Sequence, residues 1–243
     1  MTYQMNDNKY LCTQDVDSLI RSFLDPPSVL AMSEVNRHYE QTLDSKRLEF
    51  SNIGYDFDVA CVRGSKWIAR WLIETRNIDI HDQNDYAFRH ACINGHLDIA
   101  KWLLTLGEEE VYGYIDIHAS CEHAFRGACG NGHKAIAEWL LKLGECGYGC
   151  IEIHAGSGGA FRDACGNGHI DIAKLLIDLG EGEGEYELIY IHAKREKAFF
   201  MACANGHLDI VKWLIALGEG VYGRIDIHQR DPFWFACIYN HQD

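Results

Sequence analysis

A near-copy of one phrase recurs through most of this chain, and that repetition limits the fold more than any other feature. Ala87-Phe-Arg-His-Ala-Cys-Ile-Asn-Gly-His-Leu-Asp-Ile-Ala-Lys-Trp-Leu-Leu-Thr-Leu-Gly107 returns as 124–144, 160–180 and 198–218. A weaker copy begins at Phe57, and half of one, Phe233 to His241, closes the chain. The alanine of each Ala-Cys pair falls at 60, 91, 128, 164, 202 and 236, so the period lies between 31 and 38 residues. Self-similarity at such a period predicts a solenoid: each unit is too small to bury its own apolar face and must stack on its neighbours.

Within a unit, Ala-Phe-x-x-Ala-Cys sets apolar groups on one face of a first helix. Asn-Gly at 94–95, 131–132, 167–168 and 205–206 gives the turn a residue tolerant of positive φ. Leu97, Ala100, Leu103, Leu104 and Leu106 have the three-and-four spacing of an amphipathic second helix, which Gly107, Gly144, Gly180 and Gly218 close. Ile-Asp-Ile-His at 115–118 and 225–228, with close copies at 78–81 and 151–154, alternates with period two and predicts a short extended finger. The expected class is all-α.

Phrase and order together resemble the ankyrin repeat, from about residue 55 to 243, in five and a half units. The family's Thr-Pro-Leu-His opening is replaced by forms such as Tyr86-Ala-Phe-Arg89, and the linkers Glu108–Tyr114, Glu145–Cys150 and Glu181–Tyr190 lengthen the units. The wording is similar to ankyrin proteins of giant DNA viruses. The resemblance implies a protein partner on a concave face lined by fingers and first helices, and a cytoplasmic setting, that of the host if the source is viral.

After a tail of residues 1–11, residues 12–48 break the period. Val16, Ile20, Phe23 and Leu24 form an apolar stripe, Asp25-Pro26-Pro27-Ser28 interrupts it, and Val29, Leu30 and Val35 continue it on a second helix. Phe23-Leu-Asp-Pro and the later Val35-Asn-Arg-His-Tyr39 resemble an F-box, although its leading Leu-Pro is absent. The resemblance implies docking of Val16, Ile20, Phe23, Leu24, Pro26, Val29, Leu30 and Val35 on the adaptor of a cullin-type ubiquitin ligase. Two amphipathic helices ahead of a solenoid are also what an N-terminal cap requires, which would leave a scaffold or inhibitor.

Units of a solenoid differ where they recognise. The residues after each Ile-x-Ile-His diverge: Asp82-Gln83-Asn84-Asp85, Ser120 and Glu122, Ser157 within a glycine-rich and so flat stretch, Lys194, Arg195 and Lys197, then Gln229 and Arg230. These are the expected target contacts, running from acidic to basic. Arg89, Arg126 and Arg162 give way to Phe200 and Trp234, which predicts exposed aromatic anchors, with Trp234 either a target contact or packing at the end of the stack. The final unit has one helix only, so the expectation is a fragment, an aromatic lid or a covering subunit.

A formal net charge of −14 argues against nucleic acid and anionic membranes as ligands, and no apolar run approaches the ~20 residues of a membrane span. The six cysteines of the Ala-Cys pairs lie in successive helices roughly 8–10 Å apart, too far for disulfides, and read as small buried groups. Cys146, Cys150 and His154 lack a fourth ligand and a zinc spacing, so no metal or cofactor is expected. No phosphate loop, nucleophile elbow or carboxylate pair suggests an enzyme.

Overall fold

The computed structural model describes residues 53–108, 112–182 and 186–226. The chain divides into two units, Met1–Ser51 and Asn52–Asp243. The segment 12–48 with its adaptor-binding set, and Gln229, Arg230 and Trp234, lie outside the described residues.

The described part is a succession of helix pairs: α1 (Ile53–Val62) and α2 (Lys66–Thr75), α3 (Asp82–Ile93) and α4 (Leu97–Gly107), α5 (Ala119–Gly130) and α6 (Lys134–Leu143), α7 (Ala155–Gly166) and α8 (Ile170–Glu181), α9 (Ala193–Ala204) and α10 (Leu208–Gly218). A π-helical turn, Gly144–Tyr148, follows α6. First helices pack on first helices, α1 on α3, α3 on α5, α5 on α7 and α7 on α9, so the repeats stack in order. The fold is an all-α ankyrin-type solenoid.

The core is a set of ladders. Phe57, Phe88, Phe125, Phe161 and Phe199 occupy one rung position and are buried, as are Cys61, Cys92, Cys129 and Cys165 at another. Burial pushes these thiols far up, with Asp58 adding to the effect at Cys61, and raises Cys203 to about 11. They stay protonated and act as small apolar fillers. Ile99, Ile136, Ile172 and Ile210, with Leu103, Leu140, Leu176 and Leu214, supply the second-helix rungs. Each buried isoleucine or leucine contributes about 1.5–3 kcal/mol by leaving water.

The finger is extended, yet no strand occurs among the described residues. Its alternation is real: Ile78 and Ile80, Ile115 and Ile117, Ile151 and Ile153 are buried, while Asp79, Asp116 and Glu152 face outward. Each of these acids accepts the backbone N–H two residues on, at 2.9–3.0 Å, which fixes the bend into the next helix.

Two sets of glycines have different reasons. Gly95, Gly132, Gly168 and Gly206 have φ of 75–87° and end the inter-helix turn as expected. At Gly95, Gly132 and Gly168 a Cβ would also strike the imidazole of the next unit's His133, His169 or His207, at 2.6–2.7 Å. Gly107, Gly144, Gly180 and Gly218 instead have helical backbones; a Cβ there would meet the returning linker's carbonyl oxygen at 2.9–3.0 Å. They allow close approach rather than terminate a helix by positive φ. No described helix is long and apolar enough to cross a membrane.

Candidate interaction surface

The segment where units diverge is not a loose tip. Gln83-Asn84-Asp85, Ser120-Cys121-Glu122, Gly156-Ser157-Gly158 and Lys194-Arg195-Glu196 all have φ between 52° and 70° and positive ψ, one left-handed turn leading into each first helix. Left-handed residues carrying a Cβ cost about 1–2 kcal/mol each, so the turn must be held by its surroundings. Its last N–H donates to the finger histidine's carbonyl four residues back, at 2.8–3.3 Å.

Two further devices hold it. Arg89 donates from Nε to Asn84 O (2.8 Å) and from Nη2 to Gln83 O (2.7 Å), and Arg126 repeats this on Cys121 O and Ser120 O. Arg162 reaches Gly156 O at 3.4 Å and pairs with Asp163 at 3.0 Å. These arginines are clamps on their own turns. In the last described unit Phe200 takes the arginine's place and is buried edge-on against Phe199, not exposed as an anchor.

The second device crosses between units. His81 donates from Nδ1 to Asp85 (2.6 Å) and from Nε2 to Tyr112 O (2.5 Å). His118 does the same with Glu122 (2.6 Å) and Tyr148 O (2.9 Å), and His192 with Glu196 and Tyr222 O (both 2.6 Å). Each carboxylate also accepts a backbone N–H of the next finger: Asp116, Glu152 or Asp226. Burial disfavours the charged ring, but the facing carboxylate and carbonyl outweigh it and raise all three histidine pKa values. With an acceptor at both nitrogens, the imidazolium is the species that fits. The fourth unit has Gly158 in place of the acid and Tyr186-Glu187 in place of Tyr-Gly, and His154 there donates to Glu187 O.

Asp85 and Glu122, expected on the recognition surface, are therefore buried at 5% and 4% exposure. Their carboxylates point inward because each is needed by a histidine and by the following unit. Asp82, Gln83, Asn84, Ser120, Ser157, Lys194 and Arg195 are exposed, and Lys197 is half-buried. The glycines at 156–159 are not a flat platform. A Cβ on Gly156 or Gly159 would meet Arg126 at 2.6 or 2.9 Å, so they accommodate the preceding unit's clamp.

Asn-Gly-His makes the remaining ties. Asn131, Asn167 and Asn205 donate to Ile93 O, Gly130 O and Gly166 O of the preceding unit, and His96 to Val62 O. The linkers contribute as well: Tyr148 donates its hydroxyl to Glu108 at 2.7 Å, a bond that, with burial, pushes the phenol to about 12. Cys146 and Cys150 are both exposed. Between α5 and α7 a shallow cleft is lined by His123, Arg126, Asn131, Asp163 and Asn167.

Stacked helix pairs joined through Asn-Gly-His turns and Ile-x-Ile-His fingers define a repeat protein built for binding. Two ankyrin-repeat family profiles match it, one described as many copies over residues 57–104 and one as three copies over 161–243, together more than half of the chain. The chain belongs to the ankyrin-repeat proteins, whose repeats are protein-interaction modules. No curated protein sequence matches it significantly.

Proposed function

We propose that this protein is a non-catalytic substrate receptor: a target protein is held on the array, and residues 12–48 dock on the adaptor of a cullin-type ubiquitin ligase. Support for the first half comes from the repeats, whose inner positions are committed to stacking while the turn residues Asp82, Gln83, Asn84, Ser120, Ser157, Lys194 and Arg195 stay exposed and differ between units. Gln229, Arg230 and Trp234 extend that set by their place in the repeat. The run from Asp82 to Lys194 and Arg195 changes sign, which suits a target of opposite polarity and acts mainly on specificity.

The second half rests on the F-box resemblance of Phe23-Leu-Asp-Pro and Val35-Asn-Arg. The similarity to giant-virus ankyrin proteins supports the host cytoplasm as the place of action. Co-purification with the ligase adaptor tests the reading: the wild-type chain captures it, and Leu24→Asp with Leu30→Asp abolishes capture without loss of helicity. A wild-type chain that captures no adaptor overturns the ligase assignment and leaves a binding scaffold.

A further inference from the structure

Each finger carries one residue just before its first isoleucine: Asn77, Tyr114, Cys150, Leu188 and Arg224. All are exposed, Tyr114 at 80% and Leu188 at 53%. On the Leu188 finger the next outward position is Tyr190, at 66% exposure, where the other fingers have Asp79, Asp116, Glu152 and Asp226. One exposed leucine or tyrosine is ordinary surface. Here three consecutive units present Tyr114, Cys150 and Leu188 in register, with Tyr190 beside the last.

The same linker edge is strongly acidic. Asp79, Asp116 and Glu152 run alongside the row in the fingers, and Glu108, Glu145, Glu181 and Glu219 recur where the second helices end, all exposed. Carboxylates at the carboxyl end of a helix add to the negative end of its dipole. Four placed there in register concentrate negative potential on the edge that bears the apolar row. An apolar row accompanied by exposed carboxylates is complementary to an apolar stripe accompanied by basic side chains.

Spacing fixes the shape of that ligand. Helices packed side by side set neighbouring units roughly 8–10 Å apart. A partner helix brings one face round every seven residues, about 10.5 Å at 1.5 Å per residue. A strand returns the same face every ~6.6 or ~13 Å, further from the unit spacing than the helix, whose repeat lies just above it. We infer that this edge binds an amphipathic helix with large apolar residues at i, i+7 and i+14 flanked by lysine or arginine, an inference that rests on the protein-binding reading and not on the ligase assignment.

A fluorescently labelled 21-residue peptide with leucines at positions 4, 11 and 18 on a lysine-rich helical background tests this by anisotropy against the full chain. The wild-type chain binds it, and Tyr114→Ser with Leu188→Ser weakens binding at least tenfold with an unchanged circular dichroism spectrum. Moving the leucines to every fifth position, or exchanging lysine for glutamate, has an equal or larger effect. No binding by the wild type, or equal binding of the respaced peptide or by the double variant, overturns the inference. A concentration-dependent dimer that the double variant abolishes would assign the row to a second copy and overturn it too. Adaptor capture is read separately: peptide binding without capture refutes only the ligase reading, and capture without peptide binding refutes only this one.

Discussion

Replacing Glu122 by alanine removes one carboxylate that serves two units. Its Oε1 accepts from His118 Nδ1 at 2.6 Å and from the Glu152 N–H at 3.2 Å, in a site where the residue is buried. Hydrogen bonds to a charged group contribute about 1.5–3 kcal/mol each, and breaking a buried pair by removing one partner costs about 3–5 kcal/mol. Against a typical domain stability of about 5–15 kcal/mol, Glu122→Ala should shift the urea midpoint well beyond error. Glu122→Gly loses the same bonds but relieves the left-handed strain at φ 58°, so it should be about 1–2 kcal/mol less damaging than alanine. The cost must also depend on pH, because the Glu122 carboxylate helps to raise the His118 pKa. A raised histidine pKa gives stability that is complete below the unfolded value of about 6.5 and is lost as pH rises through the folded value. Urea unfolding followed by tryptophan fluorescence at pH 6 and pH 8.5 should therefore show a larger penalty for Glu122→Ala at pH 6. An equal penalty at both pH values, or one below about 1 kcal/mol, would refute an imidazolium–carboxylate tie.

Other expectations follow from the same contacts. The histidine contributions to wild-type stability, read in a pH series of thermal melts, should turn over near the ordinary histidine value of about 6.5, while Asp58, raised to about 6 chiefly by burial, favours lower pH. His81, His118 and His192 lose their contribution above that point; His90, His123 and His133, whose pKa values are lowered by burial and by neighbouring cationic side chains, impose a penalty below it. Gly132→Ala should destabilise by more than about 2 kcal/mol, since it combines φ of 82° with a Cβ 2.6 Å from the His169 ring. Arg126→Ala, which frees two turn carbonyls, should cost about 1–3 kcal/mol in urea unfolding, and Arg162→Ala less, because its hydrogen bond to the turn is 3.4 Å long.

Much of the fold is legible in the sequence, because a solenoid writes its packing once per period. The phenylalanine, cysteine and isoleucine ladders and the Asn-Gly turns all stand where the repeat places them. The left-handed turn is another matter. Three consecutive positive-φ residues contradict the local preference of Gln83-Asn84-Asp85 or Lys194-Arg195-Glu196, and only Gly156 and Gly158 hint at it. Asp85 and Glu122 look like tip residues for the same reason: a short acidic side chain in a divergent segment reads as solvent-facing. The signal that identifies them is relational. An acid stands four residues after the finger histidine at His81, His118 and His192, each followed by a Tyr-Gly linker, and the unit of His154, with Gly158 in place of the acid, also lacks Tyr-Gly. Length variation in the linkers hides this pairing until the His118–Tyr148 contact is seen in space.

His81, His118 and His192, as imidazolium ions, each fasten one unit to the next while the outward residues remain available for a partner. Long-range proton–nitrogen NMR of the imidazole rings across pH 5 to 9 tests it most directly. His81, His118 and His192 should titrate above the ordinary histidine value, with both ring nitrogens protonated at pH 6, and His90, His123 and His133 should titrate below it. A single cluster of titrations near pH 6.5, with no separation of the two groups, would contradict the claim.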